Sequence, residues 1–170
     1  MATNADAIHA RFMERAIELS RLHAVERSDG APFAAVIVKN GKIVGEGWNE
    51  VLKNNDPTAH GEVQAIKNAC SNLNCNYLEG CVMYTSCEPC SMCASVVWYT
   101  RLEKVYYAAT IDKLNNMADY SGLIKDLRVK PEERSTPYEH LKSLHKLGQD
   151  VLIEWSKVKS SDPMLQGRPY

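Results

Sequence analysis

Two short motifs constrain this chain more than any other feature, because their side chains suit a single metal ion. The first is His60-Gly61-Glu62, and the second, further along the chain, is Pro89-Cys90-Ser91-Met92-Cys93. Zinc accepts one imidazole and two thiolates as ligands, and three protein ligands leave its fourth position open, as in catalytic zinc sites. The fold therefore has to bring the two motifs to one point.

Both motifs fall at predicted helix starts. Apolar residues at helical spacing predict a helix over residues 58 to 73, and Pro89 suits the first turn of a second helix over 90–99. We expect His60 in the first turn of one helix and both motif cysteines on one face of the other. Facing helix N-termini also favour bound thiolates and hydroxide.

Glu62 follows His60 closely, where it is placed to take a proton from zinc-bound water rather than to bind the metal. The whole pattern is the H-x-E…P-C-x-x-C signature of zinc nucleobase deaminases. A lone histidine or C-x-x-C pair is a weak signal, since structural zinc sites and redox pairs share it. The run C-x-x-C-x-x-C from Cys87 also resembles iron–sulfur ligands, but Val97-Trp98 stand where that run requires Cys-Pro.

Composition narrows the class of protein. The 170 residues suit one domain, and 20 Lys plus Arg against 21 Asp plus Glu create no net positive field to attract nucleic acid. We see no secretory signal and no apolar run of the roughly 20 residues needed to span a bilayer. We therefore expect a cytoplasmic, reducing setting, in which clustered cysteines bind metals or catalyse. Cys70, Cys75 and Cys81 are expected to be packing residues, and spacing assigns no role to His9, His23, His140 or His145.

Periodicity and turn residues predict one α/β domain. Asn40-Gly41, between two apolar runs, is typical of a β-hairpin turn. Besides the two helices above, we predict a helix over 7–24, strands over 33–39, 42–49, 81–86 and 105–109, loops over 52–57 and 130–137, and helices over 120–128 and 151–158.

Five stretches carry a resemblance to a known family. They are Gly30-Ala31-Pro32-Phe33-Ala34-Ala35-Val36-Ile37-Val38, Gly47-Trp48-Asn49, Asp56-Pro57-Thr58-Ala59-His60-Gly61-Glu62, Tyr84-Thr85-Ser86-Cys87-Glu88-Pro89-Cys90 and Lys130-Pro131-Glu132-Glu133-Arg134. On these residues the chain resembles the guanine deaminases of the cytidine-deaminase-like superfamily. The resemblance implies a three-layer α/β/α fold with a central five-stranded mixed sheet. It also implies one deaminase domain of the CMP/dCMP type over 1–170, one zinc ion per subunit, and a homodimer that exchanges the segment over about 130–170.

The implied reaction is the hydrolysis of guanine, a small-molecule nucleobase, to xanthine and ammonia. Carried over to this chain, the resemblance implies that Glu62 is catalytic and that Asn49 hydrogen-bonds the base. It implies that Phe33 and Trp98 wall the pocket, that the backbone carbonyl of Ser86 holds the departing amino group, and that Tyr170 closes the site as a lid. Plainer alternatives are that Phe33 and Trp98 are core residues and that Asn49 is a turn residue.

Two positions depart from the family pattern. Gly61 stands where alanine is common. The family's Phe-Asp-Asp stretch, in which one aspartate reads the N–H edge of the base, is represented by Ala118-Asp119-Tyr120. We therefore nominate Asp119 for that role.

Rival functions are a tRNA-adenosine deaminase, a cytosine or other nucleobase deaminase, and a binding module that keeps zinc for stability. A tRNA enzyme requires a basic groove, whereas Lys125, Arg128 and Lys130 are interleaved with acidic residues. A purely structural zinc site has no need of Glu62. Neither a membrane nor a nucleic acid is therefore an expected partner.

Overall fold

The computed structural model describes residues 4–110 and 121–161. The chain divides into two compact units, Met1–Leu123 and Ile124–Tyr170. In chain order the elements are α1 Asn4–Arg21, a π-helical turn Leu22–Glu26, β1 Ala34–Lys39, β2 Lys42–Trp48, α2 Val51–Asn54, α3 Gly61–Leu73, β3 Cys81–Cys87, α4 Ser91–Tyr99, β4 Lys104–Ala109, α5 Ser121–Leu127, short 3₁₀ turns at Pro131–Glu133 and Lys142–Leu144, and α6 His145–Ser161.

The sheet is mixed and has four strands in the order β2-β1-β3-β4. β1 is antiparallel to both β2 and β3, whereas β3 and β4 are parallel. The expected fifth strand is not found among residues 4–110 and 121–161, so that prediction is corrected for the part of the chain that the structure describes. The described segments after β4 carry helical rather than alternating apolar periodicity, and they form α5 and α6.

The predicted hairpin turn is confirmed. Asn40 and Gly41 both have positive φ, 50° and 72°, as a type I′ turn requires. The turn pairs Lys39 with Lys42 and sets the register of β1 against β2.

Helices cover both faces of the sheet in the first unit, as the three-layer prediction requires. Alternate β1 residues point to opposite faces because the side-chain period of a strand is two. One face carries Ala34, Val36 and Val38 against α1, which contributes Phe12, Ala16 and Leu19. The other carries Ala35 and Ile37 against α3, which contributes Ala65, Ile66 and Ala69.

Three local features differ from the sequence predictions. The predicted loop after Asn49 contains the short helix α2, which ends at Asn55 in the left-handed conformation. The π-helical turn after α1 has no signature in the apolar pattern. The last helix begins at His145 rather than at residue 151, and a Lys146–Asp150 ion pair of 2.6 Å spans its first turns.

In the second unit, α6 exposes much of its apolar surface. Six large apolar side chains of this helix are at least 40% exposed: Leu147, Val151, Leu152, Ile153, Trp155 and Val158. None of the described helices combines the length and apolarity that crossing a bilayer requires.

Candidate metal centre and active site

The two sequence motifs meet at the N-termini of α3 and α4. His60 and Cys90 are the residues immediately before these helices, each with extended backbone, and Cys93 lies in the first turn of α4. His60 Nδ1 lies 3.7 Å from Cys90 Sγ and 3.5 Å from Cys93 Sγ. We expected His60 and Cys90 within the first turns of these helices, and the structure places each of them one residue before its helix begins.

The three donors fit a zinc ion. Their ligand atoms all lie within 4.8 Å of one another. Zinc–nitrogen and zinc–sulfur bonds of about 2.0 and 2.3 Å at a tetrahedral angle separate nitrogen from sulfur by about 3.5 Å. The two nitrogen–sulfur distances of 3.5 and 3.7 Å agree with that separation, and three ligands leave one position open.

One of the two motif cysteines, Cys90, already has thiolate character. Hydrogen bonds from Cys93, and then from His60, stabilise the Cys90 thiolate and lower its pKa to about 4. The pKa of Cys93 is raised, because its thiol donates to Cys90 and is buried. Metal ligation requires deprotonated sulfur, so Cys90 is prepared to bind a cation, whereas Cys93 loses its proton when it binds one.

Glu62 places a buried carboxyl group beside these ligands. It is the second residue of α3 and is 5% exposed. Burial raises the pKa of this carboxyl group, and the neighbouring charge of Cys90 adds to the effect. A carboxyl group whose pKa is raised toward neutrality is suited to accept and return a proton.

Close backbone contact fixes the start of α3 against the sheet. An ideal Cβ at Gly61 would lie 2.6 Å from the carbonyl oxygen of Phe33 and 2.8 Å from the Cα of Ala34. An ideal Cβ at Gly47 would lie 2.5 Å from the carbonyl oxygen of Gly61. The first turn of α3, which carries Glu62, therefore lies directly on the backbone of β2 and of the segment entering β1.

The structure brings three of the predicted base-binding residues together. Asn49 follows β2, is 6% exposed, and donates its backbone N–H to the carbonyl oxygen of Phe33 at 2.9 Å. Its side-chain Oδ1 accepts from the N–H of Val51 at 3.3 Å. Ser86 Oγ accepts from the N–H of Ala34, the residue after Phe33, at 3.1 Å. Asn49, Phe33 and Ser86 thus share one corner of the sheet.

Of the other predicted pocket residues, the structure describes only Trp98. Trp98 is 75% exposed on α4, with its ring edge-on to Tyr99 at 5.2 Å, which excludes the core alternative for Trp98. Its role as a pocket wall stays a prediction. Asp119 and Tyr170 lie outside the residues that the structure describes.

Sequence reasoning gave no role to several residues that support this corner. His23 is 2% exposed and its ring stacks on Trp48, the residue before Asn49. Gln64 Nε2 donates to Glu50 Oε2 at 3.4 Å and so connects α3 to the residue after Asn49. These contacts join residues far apart in sequence, and no local pattern could have indicated them.

A histidine, two cysteines and a buried carboxyl group at the starts of two helices on a mixed sheet define a zinc-dependent hydrolytic deaminase. Residues 6–109 match the model of the cytidine and deoxycytidylate deaminase zinc-binding region, and the chain belongs to that family. It is accordingly a zinc aminohydrolase, and His60, Cys90 and Cys93 are the residues that can hold its zinc.

Among its relatives, guanine deaminase of Bacillus subtilis (strain 168) is 44% identical over 131 residues, which cover 76% of this chain and 83% of the relative. The crystal structure of the Bacillus subtilis guanine deaminase superposes with a TM-score of 0.79 at 39% identity, covering 86% of this chain and 94% of that one. A guanine deaminase structure from Nitrosomonas europaea gives a TM-score of 0.60 at 27% identity, covering 71% and 66% of the two chains.

A second kind of relative matches over a shorter range. The tRNA-specific adenosine deaminase of Aquifex aeolicus (strain VF5) is 49% identical over 82 residues, which cover 48% of this chain and 54% of the relative.

Proposed function

We propose that this enzyme hydrolyses guanine to xanthine and ammonia. The observation that supports guanine as the substrate is the extent of the similarity to the Bacillus subtilis guanine deaminase. The matched region covers 94% of that structure. The match to the tRNA-adenosine deaminase covers 54% of the relative. The nearly balanced charge of this chain also gives little attraction for a polyanion.

His60, Cys90 and Cys93 would hold the metal. Bound there, zinc would supply a nucleophile at neutral pH, because it lowers the pKa of a bound water molecule to about 7. Glu62 takes a proton from the attacking water and delivers it to a ring nitrogen of the base. It then moves the hydroxyl proton of the tetrahedral carbon to the amino group, which leaves as ammonia. Overall, guanine and water give xanthine and ammonia.

The remaining predicted residues bind and orient the base. Asn49 hydrogen-bonds the purine edge, Phe33 lies along its face, and the backbone carbonyl of Ser86 accepts from the departing amino group. Trp98 and Tyr170 complete the pocket wall and the lid. Asp119 accepts from the N–H edge of guanine, and an unpaired carboxylate at this place rejects bases that lack those donors.

The protein is proposed to work as a homodimer that exchanges the segment over about 130–170. The large apolar side chains exposed along α6 support this, because exposed apolar surface of this kind is typical of an interface. The partner is a second copy of this chain, and light scattering on the purified protein should give twice the monomer mass.

The free cysteines fit a compartment that keeps thiols reduced.

The test of the substrate is ammonia release by zinc-quantified protein from guanine, guanosine, adenine, cytosine and ammeline, with inosine formation measured in tRNA. A higher rate of ammonia release from guanine than from each of the other compounds supports the proposal. Turnover of cytosine or another base instead would overturn the guanine assignment and leave the deaminase class intact. Inosine in tRNA would favour the second candidate, which the similarity to the Aquifex aeolicus enzyme motivates.

A further inference from the structure

Helix α1 is followed by a π-helical turn whose histidine side chain is buried in the protein. The turn covers Leu22–Glu26, and the N–H of Arg27 donates to the carbonyl oxygen of Leu22 at 2.9 Å. Turns of this kind are rare in proteins and occur frequently at functional sites. Here the widened turn buries His23, which is 2% exposed.

His23 is held by Asp29 on one side. Its Nδ1 lies 2.8 Å from Asp29 Oδ1, and because a carboxylate only accepts, the ring nitrogen is the donor. The backbone N–H of Asp29 donates in turn to the carbonyl oxygen of His23 at 2.9 Å. These reciprocal bonds fix the orientation of the imidazole ring.

On its other side, His23 holds Trp48. The two rings are stacked, with centroids 3.8 Å apart and planes 8° from parallel. Trp48 Nε1 is buried without a hydrogen-bond partner among the described residues, so ring packing rather than a polar contact sets the position of this indole.

Both Trp48 and the loop that contains Asp29 lie next to Asn49. Trp48 is the preceding residue, so its ring determines where the backbone of Asn49 begins. Gly30, which follows Asp29, lies so close that an ideal Cβ would be 2.1 Å from the carbonyl oxygen of Asn49. His23 and Asp29 therefore support the backbone of Asn49 both through the indole and through the loop that contains Gly30.

We propose that His23 and Asp29 are positioning residues that hold Asn49 in place for recognition of the base, acting through Trp48 and Gly30. This inference rests on the proposed role of Asn49 in the deaminase. It names a support for specificity that is separate from the metal centre, since neither residue belongs to the ligand motifs. Loosening Asn49 weakens binding of the ground state and of the transition state alike, so the effect falls on KM rather than on kcat.

The test uses kinetics on guanine, or on whichever base of the substrate panel turns over. His23→Phe keeps a flat ring against Trp48 but loses the hydrogen bond to Asp29. Asp29→Ala removes the other partner of that hydrogen bond, and the Asp29 side chain is partly exposed, so its truncation leaves no buried cavity. Each should raise KM by about fivefold, the size expected for loss of one hydrogen bond, with kcat within about twofold and zinc content unchanged. Asp29→Asn, whose amide oxygen still accepts, should restore a KM near that of the wild type.

The matched control is His9→Phe. His9 is a histidine of α1, with Nδ1 2.7 Å from the Tyr84 hydroxyl and its ring 4.5 Å from that of Tyr106. Its hydrogen-bond and ring partners, Tyr84 and Tyr106, are not part of the arrangement beside Asn49, so this variant should lose stability while KM stays unchanged. A rise in KM equal to that of His23→Phe would show a general loss of packing and overturn the proposal.

A double-mutant cycle separates positioning from stability. In an Asn49→Ala background, His23→Phe should add less than about twofold to KM, because the group that it positions is already gone. Full additivity of the two effects would overturn the inference. If Asn49→Ala itself leaves KM unchanged, the proposed role of Asn49 fails. If Asn49→Ala raises KM while His23→Phe and Asp29→Ala do not, the positioning role alone fails.

Discussion

The Cα of Gly61 faces the carbonyl oxygen of Phe33 so closely that a Cβ would lie 2.6 Å from that oxygen. The first residue of α3 and the residue before β1 are thus in backbone contact, and this contact sets the distance of His60 and Glu62 from the sheet. Neither backbone is free to move aside as a flexible side chain would be. The family's common alanine is therefore a strained substitution in this chain.

Gly61→Ala should lower thermal stability and weaken zinc retention. Alanine gains roughly 0.5 to 1 kcal/mol over glycine within a helix, but overpacking against fixed backbone costs about 1 to 3 kcal/mol, so the clash decides the sign. A decrease in Tm of several degrees, measured by thermal melting with zinc quantified before and after dialysis, is the expected result.

Gly122→Ala is the control for that experiment. Gly122 is also near the start of a helix, α5, but an added Cβ would meet nothing within 4 Å. Its Tm should stay level or rise. Unchanged Tm and zinc retention in Gly61→Ala would show that the backbone around Phe33 relaxes without cost.

Glu62→Gln should abolish deamination while the protein stays folded and zinc-loaded. Loss of a positioned general acid–base typically costs about 10²- to 10⁴-fold in rate. Because burial raises the pKa of Glu62, a neutral amide of the same shape relieves the cost of burying a carboxylate. The Tm should therefore match or exceed that of the wild type. Loss of zinc or of cooperative melting would assign Glu62 a structural role.

Cys90→Ser should lose zinc, and Cys87→Ala should retain it. Cys90 Sγ lies 3.7 Å from His60 Nδ1, and affinity should decrease by more than tenfold, since even outer partners of metal ligands contribute that much. Cys87 does not belong to the group of described residues whose ligand atoms lie within 4.8 Å of one another, so its removal leaves the ligand set intact. Zinc measured by inductively coupled plasma spectrometry distinguishes the two. Equal loss in both variants, or iron in the purified protein, would revive an iron–sulfur interpretation.

Asp56 should contribute stability that depends on pH. Thr58 donates its hydroxyl at 2.6 Å and its backbone N–H at 2.8 Å to the Asp56 carboxylate, which lowers the pKa of that group below its usual value of 3.8. A depressed pKa in the folded state gives stability that is present above the unfolded-state value and lost as pH falls through the folded-state value. Melting curves should show Asp56→Asn less stable than the wild type at pH 6, with the gap closing below about pH 4. A gap that is independent of pH would exclude this linkage.

The elements within one motif or one helical turn were predictable from the sequence. The spacing of His60, Cys90 and Cys93 at helix starts indicated a zinc ligand set, and the distances between their ligand atoms agree with one. The left-handed Asn40-Gly41 turn was equally local, since its dihedral angles depend on those two residues. The fifth strand, by contrast, was expected from a resemblance and has no counterpart among the described residues.

The reaction class follows from the residues of the two motifs alone, because the identity of the metal ligands and of Glu62 is a property of side-chain chemistry and short spacing. Which residues support that chemistry depends instead on the folded arrangement of the chain. The stacking of His23 on Trp48, the contact of Gly61 with Phe33 and the exposure of Trp98 all depend on how distant segments pack. Apolar periodicity indicates which face of an element is buried, but it does not specify the partner against which that face packs.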